Sequence, residues 1–247
     1  MSGVLHGVLA AIAGGARGEQ VYDIPGTYTW TVPAGVTSIC VVCVGGGAGT
    51  ASNVDGTGSS YHGGGGGGLV YKNSISVTPG TSYTVVVGSG AGPGSNGSAS
   101  SMSGTGISIS AGGGVVGSRS GAVSGGDVNN HGFCPQYTYA SGGTIYWGSG
   151  GGASYTYDET NTTPYQSSGG IAAGSTIVAG VSYAASFGPN NPFFTSVSLD
   201  GGVGAVGAGG AIRNSTPPNG TPQTDVGYAG GVRIIWGAGR SYPNNAT

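Results

Sequence analysis

Three histidines, three cysteines and eight carboxylates are the residues of this chain most able to do chemistry, and their spacing decides whether they can. His6, His62 and His131 lie far apart, and none has a carboxylate at ligand spacing. His131 stands close to Cys134, but a zinc site there would need remote partners. Cys40 and Cys43 are three apart in an apolar run that reads as a strand, so their side chains should point to opposite faces. That placement suits buried thiols acting as small hydrophobes rather than a metal or redox pair. Cys134 is left over, either buried or paired between chains. Asp158 and Glu159 are neighbours that diverge on a strand, unlike two carboxyl groups facing one glycosidic bond. No G-x-S-x-G nucleophile motif joins a strand to a helix. The glycine runs at Gly45 and Gly63 continue into neither Lys-Ser/Thr nor a helix start, so phosphate cradling is unsupported. The expectation is a protein without catalytic residues, metal or cofactor.

Composition points the same way. Glycine fills 58 of 247 positions and proline 12, which approaches the range of low-complexity chains. Against disorder stand 14 Tyr, 4 Phe and 3 Trp, with charged residues at only 6%. Ordered β structure joined by glycine-rich loops is therefore expected. The net charge is −2 and Lys72 is the lone lysine, so no basic stripe exists to hold nucleic acid. A surface with so little charge suits a particle component or an extracellular surface. Five N-x-S/T sequons (Asn96, Asn161, Asn214, Asn219, Asn245) are what a Ser/Thr-rich chain produces unaided.

The strongest strand signal runs from Tyr22 to Val44. Tyr28, Trp30 and Val32 alternate with Thr27, Thr29 and Thr31, giving one large face and one threonine face. Ile24-Pro25-Gly26-Thr27 has the residues of a type II turn, and Val32-Pro33-Ala34-Gly35 those of a type I turn. Ile39 to Val44 is apolar on both faces, as a strand between two packed layers should be. The reading is a β hairpin feeding into flexible glycine. Leu69 to Val77 and Tyr83 to Val87 form a second strand pair around the Thr78-Pro79-Gly80-Thr81 type II turn. Ile107 and Ile109 mark a short alternating strand. Near the other end of the chain, Val232, Ile234 and Trp236 share one strand face, with Arg233 and Ile235 on the other. Arg240 to Thr247 reads as a polar, exposed tail.

The expected fold is all-β: an antiparallel β sandwich, jelly-roll-like, opened by residues 20–44 and closed by residues 228–237. Its parts are an N-terminal segment (1–17), β-sandwich strands (18–110), a glycine-rich and aromatic insertion (111–225), and a closing strand with a polar tail (226–247). In the N-terminal segment, Val4, Leu5, Val8, Leu9 and Ile12 would form one apolar stripe on a helix. The segment is too short to span a bilayer. An attachment segment is preferred over a signal peptide, for which the basic n-region is missing, and over simple disorder. In the insertion, Tyr137, Tyr139, Tyr146, Trp147, Tyr155, Tyr157, Tyr165, Phe193 and Phe194 sit among small polar residues. That is the composition of an adaptable binding surface, and equally of rings capping glycine layers as core. Gly201, Gly204, Gly207 and Gly210 recur with the three-residue period of a polyproline II helix, although the period alone does not establish one.

The segment PGTYTWTVPAGVTSI with its valine strand and glycine run resembles the opening of glycine-rich virion proteins of tailed phages. GGGGGGLVYKNSISVTPGTSYTVVV and GGVRIIWGAGRSYP extend the resemblance, the last being similar to phage structural proteins of marine and cyanobacterial phages. The resemblance implies a tail-fibre or fibre-tip adhesin that recognises a bacterial outer-membrane protein or polysaccharide. It also implies docking to other virion proteins through residues 1–17, trimerisation, and packed polyglycine helices like those of some phage adhesins. A capsid decoration or fibre-shaft subunit without a receptor role is the first alternative, and a secreted bacterial surface or fibre protein the second.

Overall fold

The computed structural model describes residues 17–52, 60–62, 64–132, 137–139, 175–178, 181–184, 207 and 226–242. All of its regular elements are strands, numbered along the chain. They are β1 (Gly18–Tyr22), β2 (Gly26–Thr31), β3 (Ser38–Val44), β4 (Ala51–Ser52), β5 (Ser60–His62), β6 (Leu69–Ser76), β7 (Ser82–Val87) and β8 (Ser100–Gly104). Then follow β9 (Ile107–Ala111), β10 (Val123–Ser124), β11 (Val128–Asn130), β12 (Tyr137–Tyr139), β13 (Ser175–Val178), β14 (Val181–Ala184) and β15 (Gly231–Trp236). Two five-stranded antiparallel sheets, β1-β15-β3-β6-β11 and β10-β9-β8-β7-β2, form the body. The short groups β12-β5-β4 and β13-β14 stand apart from them in the strand pairing.

The two large sheets pack face to face. Ile39, Val41 and Cys43 of β3, Val70 of β6, and Val232 and Ile234 of β15 meet Trp30, Tyr83, Val85, Met102 and Ile109 of the other sheet. Trp30 lies against Tyr83 and Trp236, with ring centroids 6.2 Å and 5.9 Å away. The other face of β3 is also buried, because Cys40, Val42 and Val44 join Leu69, Tyr71, Ile235 and Tyr242 in a second apolar cluster. Cys40 and Cys43 thus point to opposite faces, as expected of their spacing, and both are free thiols.

The first and last large strands share a sheet: β1 pairs with β15, and β15 with β3. The local reading of hairpins is corrected. β2 pairs with β7 in one sheet while β3 pairs with β6 and β15 in the other, so neither β2–β3 nor β6–β7 is a hairpin. Both are arches that carry the chain from one sheet to its partner. They brace one another through Val32 N–H to Thr81 O (2.9 Å), Gly80 N–H to Val32 O (2.9 Å) and Val77 N–H to Thr37 O (3.0 Å). A turn sets how sharply the chain reverses; the apolar faces decide which layer receives the next strand, and here Val32, Val36 and Val77 plug the gap between layers.

The turns themselves differ in part. Thr81 N–H donates to Thr78 O and Gly80 has φ 82°, the type II turn expected. The first arch turns one residue later than expected: Val36 N–H donates to Pro33 O around Gly35, with φ 77°. Pro25-Gly26 only bends the chain into β2, since Gly26 has φ 159°, far from the type II value.

Candidate functional site

Six strand ends meet at one end of the sandwich, and each continues into a glycine-rich segment. Val44 runs into Gly45, Val87 into Gly88 and Ala111 into Gly112, while Gly68 leads into β6, Ala99 into β8 and Gly230 into β15. Sequence alone makes these runs loops, yet Gly45 to Thr50 and Gly64 to Gly68 are buried. Their hydrogen bonds explain the order. Gly45 and Ala48 donate to the segment 64–68 (Gly68 O 2.9 Å, Gly65 O 2.9 Å). Gly46 and Gly49 donate to the segment 95–98 (Ser98 O 2.9 Å, Ser95 O 3.0 Å), and Gly47 to Tyr228 O at 2.8 Å. Successive N–H groups therefore turn through three directions and return after three residues, the signature of a polyproline II-type glycine helix bonded to its neighbours. The same period recurs where Gly230 and Gly227 donate to Gly88 O and Ala91 O, three residues apart.

The packing permits no side chain at many of these positions. A Cβ on Gly46 would lie 2.1 Å from Ser89 O, one on Gly67 2.0 Å from Gly45 O, and one on Gly113 2.1 Å from Gly97 O. Of the period-three tract 201–210, Gly207 alone is among the described residues. It bridges Gly67 and Ala229 by hydrogen bonds of 2.7 Å, with φ 75°, opposite in sign to polyproline II.

The arches and both ends of the described chain occupy the opposite end of the sandwich. Arg17 Nη2 donates to Ala238 O (3.0 Å), and Arg240 Nη1 donates to Gly18 O (2.6 Å). Glu19 accepts from Arg233 and from Arg240 Nη2, the latter at 2.8 Å. Hydrogen bonds from Arg240 and then Arg233 hold its carboxyl below the usual glutamate value. Asn73, beside a bulge at which Ser74 takes φ 53°, pairs with the backbone of Tyr242: Nδ2 donates to Tyr242 O (3.0 Å) and Oδ1 accepts from Tyr242 N–H (2.9 Å). Arg240 and Tyr242 are thus locked in place, which corrects the reading of an exposed tail starting at Arg240; residues 243–247 lie outside the described residues. An open groove of about 330 Å³ runs here between residues 35–40, Ser74 and residues 235–240. Cys40 lines it, with burial pushing its thiol up.

Among the described residues no group of three or more His, Cys, Asp or Glu could hold a metal ion. His131 Nδ1 instead lies 3.1 Å from Ser120 Oγ, which also accepts from Gly132 N–H (3.1 Å), a contact that fastens the chain next to Gly66 and Gly67.

Of the aromatic residues singled out from sequence, Tyr137 and Tyr139 lie in β12, opposite His62 and Ser60 of β5. Tyr146, Trp147, Tyr155, Tyr157, Tyr165, Phe193 and Phe194 lie outside the described residues, as do Val4, Leu5, Val8, Leu9 and Ile12. The clamp of Glu19, Arg233 and Arg240 and the Asn73–Tyr242 pair escaped the sequence reading. An arginine inside an otherwise apolar strand was the available signal, because such a charge calls for a carboxylate from a neighbouring strand.

A two-layer antiparallel sandwich whose strands run on into a hydrogen-bonded glycine bundle defines a glycine-rich β protein. Residues 23–246 match the glycine-rich domain family, and the chain belongs to it. No curated protein matches the chain.

Proposed function

We propose that this protein is a non-enzymatic structural protein of a tailed-phage virion, at a tail fibre or its tip, where it recognises a receptor on the bacterial surface. The observation that carries the reading is the polarity of the molecule. Arg17 and Tyr242 sit at the arch end. Thr50, Gly132, Gly207 and Gly227, which stand next to the undescribed segments in the chain, lie in or beside the glycine bundle. A rigid scaffold that anchors at one end and inserts a long aromatic-rich segment at the other is how folds present binding surfaces. Residues 1–17 would dock to other virion proteins. The segment holding Tyr146, Trp147, Tyr155, Tyr157 and Tyr165 would meet an outer-membrane protein or polysaccharide, outside the cell.

The test has two arms. Purified protein should bind host cells, and alanine at Tyr146, Trp147, Tyr155 and Tyr157 should abolish that binding without changing thermal unfolding. Deleting residues 1–16 should abolish incorporation into particles while leaving cell binding intact. Incorporation without any cell binding would leave a decoration or shaft subunit. A mature chain beginning near Gly14 with secretion into the medium would refute the virion reading altogether.

A further inference from the structure

The two sheets have four edges, and they are not equivalent. β10 offers two residues and β11 three, too short to template another strand. β1 has five, but it carries Glu19, engaged by Arg233 and Arg240. β2 is different: six residues, GTYTWT, without charge, proline or bulge, pairing with β7 along its whole length in unbroken register. Among the described residues no strand pairs with its other side, and Thr27, Thr29 and Thr31 are exposed on its outer face. Every second residue of such a strand turns its N–H and C=O away from β7, leaving backbone groups that another strand can satisfy. Lysine, proline and a bulge are usual devices that blunt an edge, and β2 has none of them.

We infer that β2 is a self-association edge, pairing antiparallel with β2 of a second copy of this chain across a twofold axis and joining two sheets into one. The occupant follows from the sequence of the strand. Paired with itself in antiparallel register, GTYTWT sets uncharged residues opposite uncharged residues, so no like charges repel. Threonine–threonine pairs across strands are favourable. A net charge of −2 on 247 residues adds little long-range repulsion between copies. Two large apolar side chains, Val21 (38% exposed) and Ile24 (68% exposed), lie beside this edge, at the end of β1 and in the bend leading into β2. Tyr22 of β1 and Tyr28 of β2 meet beside the same edge, with ring centroids 4.9 Å apart and planes tilted by 37°. The inference is independent of the virion reading, since it rests on the edge alone.

Sedimentation velocity of the full chain over a wide concentration range should show a reversible dimer. Thr29→Lys places two ammonium groups near the twofold axis and should raise the dimer dissociation constant about tenfold or more. Ser103→Lys, on an inner strand of the same sheet, should leave it unchanged. Single cysteines at Thr27, Thr29 and Thr31, in a Cys134→Ser background, should cross-link under mild oxidation at one position far more than at the others, as a fixed register requires. Circular dichroism confirms that each variant is folded. A chain that stays monomeric throughout, a dimer indifferent to Thr29→Lys, or equal cross-linking at all three positions would overturn the inference.

Discussion

Gly46→Ala is the sharpest test of the glycine bundle. Its Cβ would stand 2.1 Å from Ser89 O and 2.5 Å from Ser89 C, both backbone atoms that cannot rotate aside. Relief needs about 1 Å of movement between two segments, and such overpacking typically costs about 1–3 kcal/mol. The movement also strains two hydrogen bonds, Gly46 N–H to Ser98 O (2.9 Å) and Gly114 N–H to Gly46 O (2.8 Å). Each of these is worth about 0.5–1.5 kcal/mol. The sum is about 2–6 kcal/mol, a large share of the roughly 5–15 kcal/mol that holds a domain folded. For a chain of this size each kcal/mol lowers Tm by about 2–4 °C, so a fall of at least about 4 °C is expected. Gly92→Ala supplies the control from an exposed position of another glycine-rich segment, the one that follows Gly88. No atom lies within 4 Å of its Cβ position and its φ is not positive, so the change should be neutral or stabilise by up to about 1 kcal/mol. Urea unfolding of both variants followed by near-ultraviolet circular dichroism makes the comparison. If the two midpoints coincide, the bundle is not packed backbone against backbone and the reasoning fails.

Three further outcomes follow from the arch end and the core. Glu19, held below the usual glutamate value by Arg240 and Arg233, contributes stability in full above the unfolded-state pKa and loses it as pH falls through the lowered value. Because Glu19 is half-exposed, Glu19→Gln should cost only about 1 kcal/mol at neutral pH. The gap from wild type should close in strong acid, measured as unfolding midpoints between pH 7 and pH 2. Asn73→Leu removes both side-chain bonds to Tyr242 and should cost about 1–3 kcal/mol while exposing the chain from Arg240 onward to carboxypeptidase. Wild-type resistance equal to that of the variant would refute the clamp. Complete burial raises the Cys43 thiol far above its ordinary value, and burial raises Cys40 as well. In a Cys134→Ser background, native protein should therefore resist a disulfide reagent at pH 8, Cys43 reacting only at the rate of global unfolding.

The elements legible in the sequence were those whose order is written in side chains. Two apolar faces on Ile39–Val44 identified a strand between layers, and both clusters lie where that pattern put them. The alternation in Tyr83–Val87 and in Val232–Trp236 likewise marked the core faces, and Thr78–Thr81 its turn. Pairing was less legible, because a Pro-Gly turn of the same kind closes a hairpin or an arch, and only the partner faces choose. The bundle was least legible because its order is carried by N–H and C=O groups that every glycine run shares. One positional clue was there: the runs beginning at Gly45, Gly88 and Gly112, and those closing at Gly68 and Gly230, each abut an apolar strand with no polar turn between. A strand that ends in a mobile loop is normally punctuated by Asn, Asp or Pro. A strand that passes unpunctuated into glycine keeps its direction, and adjacent strands then deliver their glycine segments side by side with backbone groups facing. That geometry needs glycine for close approach rather than for flexibility, and it makes the bundle an extension of the sandwich rather than a set of loops upon it. Ala48, the one residue other than glycine between Gly45 and Gly49, is wholly buried, while Gly46 and Gly49 each face a carbonyl oxygen 2.1 Å from where a side chain would begin.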